Sequence, residues 1–69
     1  MKIELNETNI KIICKLNYFF NDFKKVVKWL ETDNINFCNM SPLYFIDIKG
    51  SNIVLRFIET ALDENGKIE

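Results

Sequence analysis

The chain has 69 residues, 48% of them hydrophobic and 13% aromatic, with nine basic side chains against ten acidic ones and a net charge of -1. A chain this short is one domain, residues 1–69, and so even a charge balance argues against generic nucleic-acid binding, which needs a surplus of Lys and Arg to neutralise phosphates. No stretch approaches the ~18 apolar residues required to span a bilayer, and the opening Met1-Lys2-Ile3-Glu4 starts no signal-like apolar run, so the expected setting is a cytoplasm. The abundance of Asn, Ile and Lys fits an AT-rich bacterial or phage gene, which in the second case would put the protein in the cytoplasm of its host.

Met1–Thr8 is short and mixed, with Ile3 and Leu5 alternating with Lys2 and Glu4, and reads as an extended arm. The first helix is expected over Asn9–Phe20, with Asn9 as its N-cap. Ile10, Ile12, Ile13, Cys14, Leu16, Phe19 and Phe20 occupy well over half of its wheel, wider than the ~100° stripe of a surface helix. Such a helix is covered on two sides. It is either central in the monomer core, or packed on the core by one face and on a second copy by another, with Ile12, Leu16 and Phe19 as the dimer face.

Asn21-Asp22 breaks the chain and caps a second helix, Phe23–Glu31. Phe23, Val26, Val27 and Leu30 follow i, i+3, i+4, i+7, the spacing of one face, and Lys24, Lys25 and Lys28 fall on the outer side. Three lysines without arginine read better as a solvated face than as a phosphate site. Thr32–Met40 is an Asn-rich loop whose side chains favour turns, with Phe37 plugging it onto the core. Ser41-Pro42 is the clearest local signal. Serine caps a helix, and proline at its first position has a preset φ and no N–H to leave unpaired. That helix runs Pro42–Ile48 and ends at Lys49-Gly50, with Gly50 expected in the left-handed conformation. Ser51 or Asn52 caps the last helix, which reaches about Asp63, with Ile53, Val54, Phe57, Ile58, Ala61 and Leu62 apolar and Arg56, Glu59 and Asp63 outward. The fold class is all-α, a small four-helix domain with a short extended arm.

Catalytic and metal chemistry lack their usual parts. There is no histidine to activate a Ser or Cys nucleophile. Two cysteines without histidine do not make a standard zinc site, and two isolated glycines do not make a phosphate-cradling loop. Cys14 and Cys38 read as buried, reduced small hydrophobes. A non-enzyme without metal or cofactor is expected. A single core of this size supplies only ~3–5 kcal/mol, so homodimerisation is the expected supplement once a disulfide and a metal are set aside.

The pattern Phe20-Asn21-Asp22, Val26, Trp29-Leu30, Thr32, Asn34, Phe37, Ser41-Pro42-Leu43, Phe45-Ile46-Asp47, Gly50, Val54, Phe57-Ile58 resembles the toxin-binding domain of Xre/MbcA/ParS-type antitoxins. That family reads Phe-Gly-Asp, an Ala, Trp-Leu, a Thr-Pro-Asn loop with a leucine, Ser/Thr-Pro-Leu-x-Leu-Leu, a Gly and a final amphipathic helix. The spacings from Phe20 to Trp29 and from Trp29 to Pro42 agree without a gap. Asn21 and Asn39 stand where the family favours Gly, Val26 where it has Ala, and Asp33 where it has Pro. Phe37 replaces the loop leucine and Phe45 a helix leucine. Family members usually carry a helix-turn-helix-like region upstream, for which 19 residues before Phe20 leave too little room.

The resemblance implies a dimerising helical domain that inhibits a RES-type, NAD-consuming toxin by covering its active-site cleft, with the C-terminal segment contributing. Mapped here, the contact residues are Arg56, Glu59, Asp63, Glu64, Lys67, Ile68 and Glu69, and the framework is Phe20, Trp29, Leu30, Pro42, Leu43 and Phe57. Two other readings stand beside it. A small phage or mobile-element protein could use the same domain to block a bacterial defence enzyme, for example as an anti-CRISPR. A DNA-binding regulator would rely on Lys11, Lys15, Lys24, Lys25 and Lys28.

Overall fold

A computed structural model describes residues 1–66 and 68. Four helices follow one another: α1 (Glu7–Phe20), α2 (Phe23–Glu31), α3 (Pro42–Asp47) and α4 (Ser51–Asn65), with a 3-10 turn at Ile35–Phe37 between α2 and α3. Among the described residues there is no strand. The all-α expectation holds.

The helices close a ring, α1 packing on α2 and α4, and α3 packing on α2 and α4. Each sends an i, i+4 pair inward, the spacing that stacks two side chains on one face. The pairs are Ile12 and Leu16, Val26 and Leu30, Pro42 and Ile46, and Val54 and Ile58, all buried. Burying one such aliphatic side chain is worth about 1.5–3 kcal/mol. The ring explains the broad apolar wheel of α1, which is covered from two sides within one chain. It also corrects the expected dimer face. Ile12 and Leu16 have no exposed surface because the monomer core takes them, and Phe19 is half-buried against that core. The apolar side chains that α1 leaves outside are Ile10, Cys14 and Tyr18, the last 88% exposed.

Local chemistry sets the helix ends. Asn6, not Asn9, caps α1: its Oδ1 accepts from the Asn9 N–H at 2.8 Å. Asn9 is inside the helix and buried, and its Nδ2 donates to the Glu4 carbonyl at 2.8 Å, fastening the arm to α1. The Asn9 Oδ1 has no partner among the described residues. The arm is irregular rather than a strand, with Ile3 packed on the core. Asn21 ends α1 in the left-handed conformation, φ 52°, and Asp22 Oδ1 accepts from the Lys24 N–H at 2.9 Å to start α2. Ser41 Oγ accepts from the Tyr44 N–H at 3.1 Å, with Pro42 opening α3. Loss of either cap, as Asp22→Ala or Ser41→Ala, is expected to cost about 1 kcal/mol in urea unfolding.

The α3–α4 junction differs from expectation. Lys49 takes the left-handed φ of 66°, while Gly50, at φ -95°, is the N-cap of α4 without any side-chain cap. Neither Ser51 nor Asn52 serves as the cap, and α4 runs on to Asn65. Gly66, at φ 68°, ends it as a left-handed glycine. The cysteines also depart from expectation: Cys14 and Cys38 are both free and exposed.

The loop between α2 and α3 is built around Phe37. Asn34 organises it: its carbonyl accepts from the Phe37 and Asn39 N–H groups at 2.9 and 3.1 Å, and its N–H donates to the Met40 carbonyl at 3.1 Å. Its side chain accepts from the Asn36 N–H at 2.9 Å. Cys38 and Asn39 turn the chain back with φ 57° and 62°. Phe37 is thereby driven into the core, 2% exposed. Its ring lies 6.0 Å from that of Trp29, 5.5 Å from Phe45 and 5.1 Å from Phe57, so one loop residue joins α2, α3 and α4. Trp29 also stacks on Phe57 at 6.4 Å. Aromatic pairs at these separations add ~0.5–1.5 kcal/mol each beyond their buried area.

Candidate interaction surface

The residues expected to touch a partner lie on α4 and beyond it. Val54, Ile58 and Ala61 hold one side of this helix in the core. Asn52, Ile53, Arg56, Glu59 and Asp63 are exposed, and steps of three and four bring Asn52, Arg56, Glu59 and Asp63 onto one face. Asn52, Ile53, Leu55, Arg56 and Glu59 line a shallow cavity of about 480 Å³. Ile53 is 57% exposed there, an apolar side chain beside a guanidinium. Glu59 is not a free carboxylate: its Oε2 lies 3.7 Å from Lys15 Nζ of α1. With both side chains partly solvated, that bridge is worth ~0–1 kcal/mol, and its role is to orient Glu59 against α1.

Glu64 belongs to a different flank. It lines a second, smaller cavity of about 290 Å³ with Asn36, Phe57, Thr60, Asn65 and Ile68. Ile68 is 3% exposed and joins the core cluster, so this residue is framework and not a contact. Lys67 and Glu69 lie outside the described residues. Of the seven expected contacts, the structure thus brings Arg56, Glu59 and Asp63 onto one face, turns Glu64 to another and buries Ile68.

The expected framework residues all sit at the core. Leu30 and Pro42 are buried, and Phe20, Trp29, Leu43 and Phe57 pack partly buried against the central cluster.

Reading the sequence missed what lies beside the lysines of α2. Lys24, Lys25 and Lys28 are exposed, as their spacing requires. Lys25 and Lys28 line a hollow with Phe19 and Phe20 of α1, a neighbourhood that the turn at Asn21-Asp22 creates, and Lys24 and Lys28 line another with Phe23 and Val27. The one signal in the sequence was the close run of Phe19, Phe20, Phe23 and Trp29 with lysines interleaved.

Both cysteines are exposed, and the chain contains no histidine. Among the described residues no group of three or more Cys, Asp or Glu side chains is placed to hold a metal ion, and no helix is long and apolar enough to cross a membrane. Set against protein families, curated proteins and solved structures, the chain matches no family model, no curated protein and no solved structure.

Proposed function

We propose that this chain is a non-catalytic protein-binding module that inhibits a partner enzyme by covering its active-site cleft. The observation that carries this reading is the outer face of α4, where exposed Ile53 and the Arg56 guanidinium share a shallow cavity on a helix otherwise locked into the core. An apolar side chain beside an arginine suits a protein interface, where burial supplies affinity and a guanidinium supplies directional, charge-assisted hydrogen bonds. The resemblance to antitoxin toxin-binding domains names the partner class, a RES-type NAD-consuming toxin. Its support is that Trp29 and the helix opened by Ser41-Pro42 meet through Phe37, so the two sequence anchors belong to one packed unit. A bacterial defence enzyme is the other partner of the same kind, reached by the same occlusion. A dimer of the chain would use Ile10, Cys14 and Tyr18 in place of the α1 residues that the core consumes.

Co-expression tests the reading. The chain is expected to restore growth to cells producing a RES-type toxin. Arg56→Glu, an exposed substitution that leaves the core untouched, is expected to abolish the rescue, whereas Lys49→Glu, away from the α4 face, keeps it. Absence of rescue by the unaltered, folded chain removes this partner class.

A further inference from the structure

A second surface carries an inference that neither depends on α4 nor alters its reading. The segment 23–32 bears a net charge of +2 on a chain whose remaining residues sum to -3. On it, Lys28 and Thr32 line both of two hollows. One, about 500 Å³, is lined by Phe19, Phe20, Lys25, Lys28, Trp29 and Thr32. The other, about 430 Å³, is lined by Phe23, Lys24, Val27, Lys28, Glu31 and Thr32. Phe23 is 54% exposed.

The lysines around these hollows differ from those of α1 in having no close acidic partner among the described residues. Lys11 and Lys15 of α1 each pair with an acid, at 3.4 Å to Glu7 and 3.7 Å to Glu59. Among the described residues Lys24, Lys25 and Lys28 form no ion pair. The one carboxylate lining either hollow, Glu31, faces the Met1 amino group at 3.9 Å, and the larger hollow has no carboxylate in its lining. Unpaired lysines therefore border aromatic and apolar lining, and the two features ask for the same occupant: negative side chains alternating with large apolar ones.

We propose that the two hollows that share Lys28 are a docking site for an acidic segment of a partner protein that lays apolar side chains into them and carboxylates against Lys24, Lys25 and Lys28. The hollows supply burial, and the lysines supply steering and sequence preference. A single-stranded nucleic acid would also meet aromatics and cations. The three cations are lysines, however, with no guanidinium to stack on a base or fork onto a phosphate, and the chain as a whole is acidic.

Trp29 is the one tryptophan of the chain and lines the larger hollow, so its emission reports occupancy without a label. The probe is a short synthetic peptide alternating Glu with Leu and Phe, titrated into the intact chain. The expected result is a saturable shift in Trp29 emission that weakens as salt is raised and is absent with the same peptide carrying Lys for Glu. The double variant Lys25→Glu, Lys28→Glu, both exposed and checked for fold by circular dichroism, is expected to weaken binding by at least about tenfold. Arg56→Glu is expected to leave it unchanged, which separates this site from the α4 face. No shift with the acidic peptide, an equal shift with the basic one, or a shift given only by oligothymidylate overturns the proposal. So does an emission change that follows the concentration of the chain alone, since the occupant would then be a second copy.

Discussion

Phe37→Ala is expected to unfold most of the protein. Truncating a buried phenylalanine costs about 3–5 kcal/mol, the lost transfer energy plus the cavity left behind, and the whole core of a domain this size supplies only about that much. Phe37 is an extreme case, because its ring meets Trp29, Phe45 and Phe57 from three different helices. Its removal also leaves the Asn34-centred loop with nothing to anchor it. Far-UV circular dichroism should show the helical signal largely lost at room temperature. Phe37→Leu keeps most of the volume and is expected to remain folded, with a loss of about 1–2 kcal/mol from the forfeited ring contacts. A folded, cooperatively melting Phe37→Ala would mean that the loop is not what joins α2, α3 and α4.

The second large effect lies at Gly50 and has little to do with backbone freedom. At φ -95° any residue could stand there. What excludes a side chain is the Phe45 carbonyl oxygen, which accepts from the Gly50 N–H at 2.6 Å and would lie 2.8 Å from an added Cβ. Backbone cannot yield as the tip of a side chain can, so Gly50→Ala must shift either the end of α3 or the start of α4. Overpacking of this kind costs about 1–3 kcal/mol, a large share of so small a total. Gly66 offers the contrast: nothing lies within 4 Å of its Cβ position, but its φ is 68°. Gly66→Ala should therefore cost about 1–2 kcal/mol through left-handed strain alone, and Gly66→Asn less, while Gly50→Asn should be at least as damaging as Gly50→Ala. Urea midpoints of the four variants distinguish the two causes.

The legible parts of the fold were those with local signals. Helix α2 begins and ends where Asp22 and the i, i+3, i+4, i+7 pattern place it, and Ser41-Pro42 opens α3 as a capping serine and an N1 proline should. Phe37 was readable as a plug because an aromatic stands amid asparagines. The start of α1 was not, because Asn6 and Asn9 are equally good caps by type. What decides between them is the bond from the Asn9 carboxamide to Glu4, a contact that forms only when the arm folds back. The cysteines were misjudged by residue type where helix geometry was informative: Cys14 lies two residues on from Ile12, about 200° round the helix, and so faces away from the core.

The candidate surfaces divide along the same line. Arg56, Glu59 and Asp63 share a face by spacing alone, which a single helix reveals. The burial of Ile68 and the pairing of Glu59 with Lys15 depend on other elements, and so does the placing of Phe19 and Phe20 beside Lys25 and Lys28. The expected dimer face failed for a related reason. The α1 wheel is apolar nearly all round, so its sequence did not reveal which side the other three helices would take.

The most direct test of the inhibitory reading is the rate of NAD consumption by a purified RES-type enzyme as the chain is titrated in. Stoichiometric occlusion predicts a rate that falls in proportion to the chain added and stops near equivalence, with Arg56→Glu leaving the enzyme active. A rate unaffected by an excess of the folded chain would contradict it.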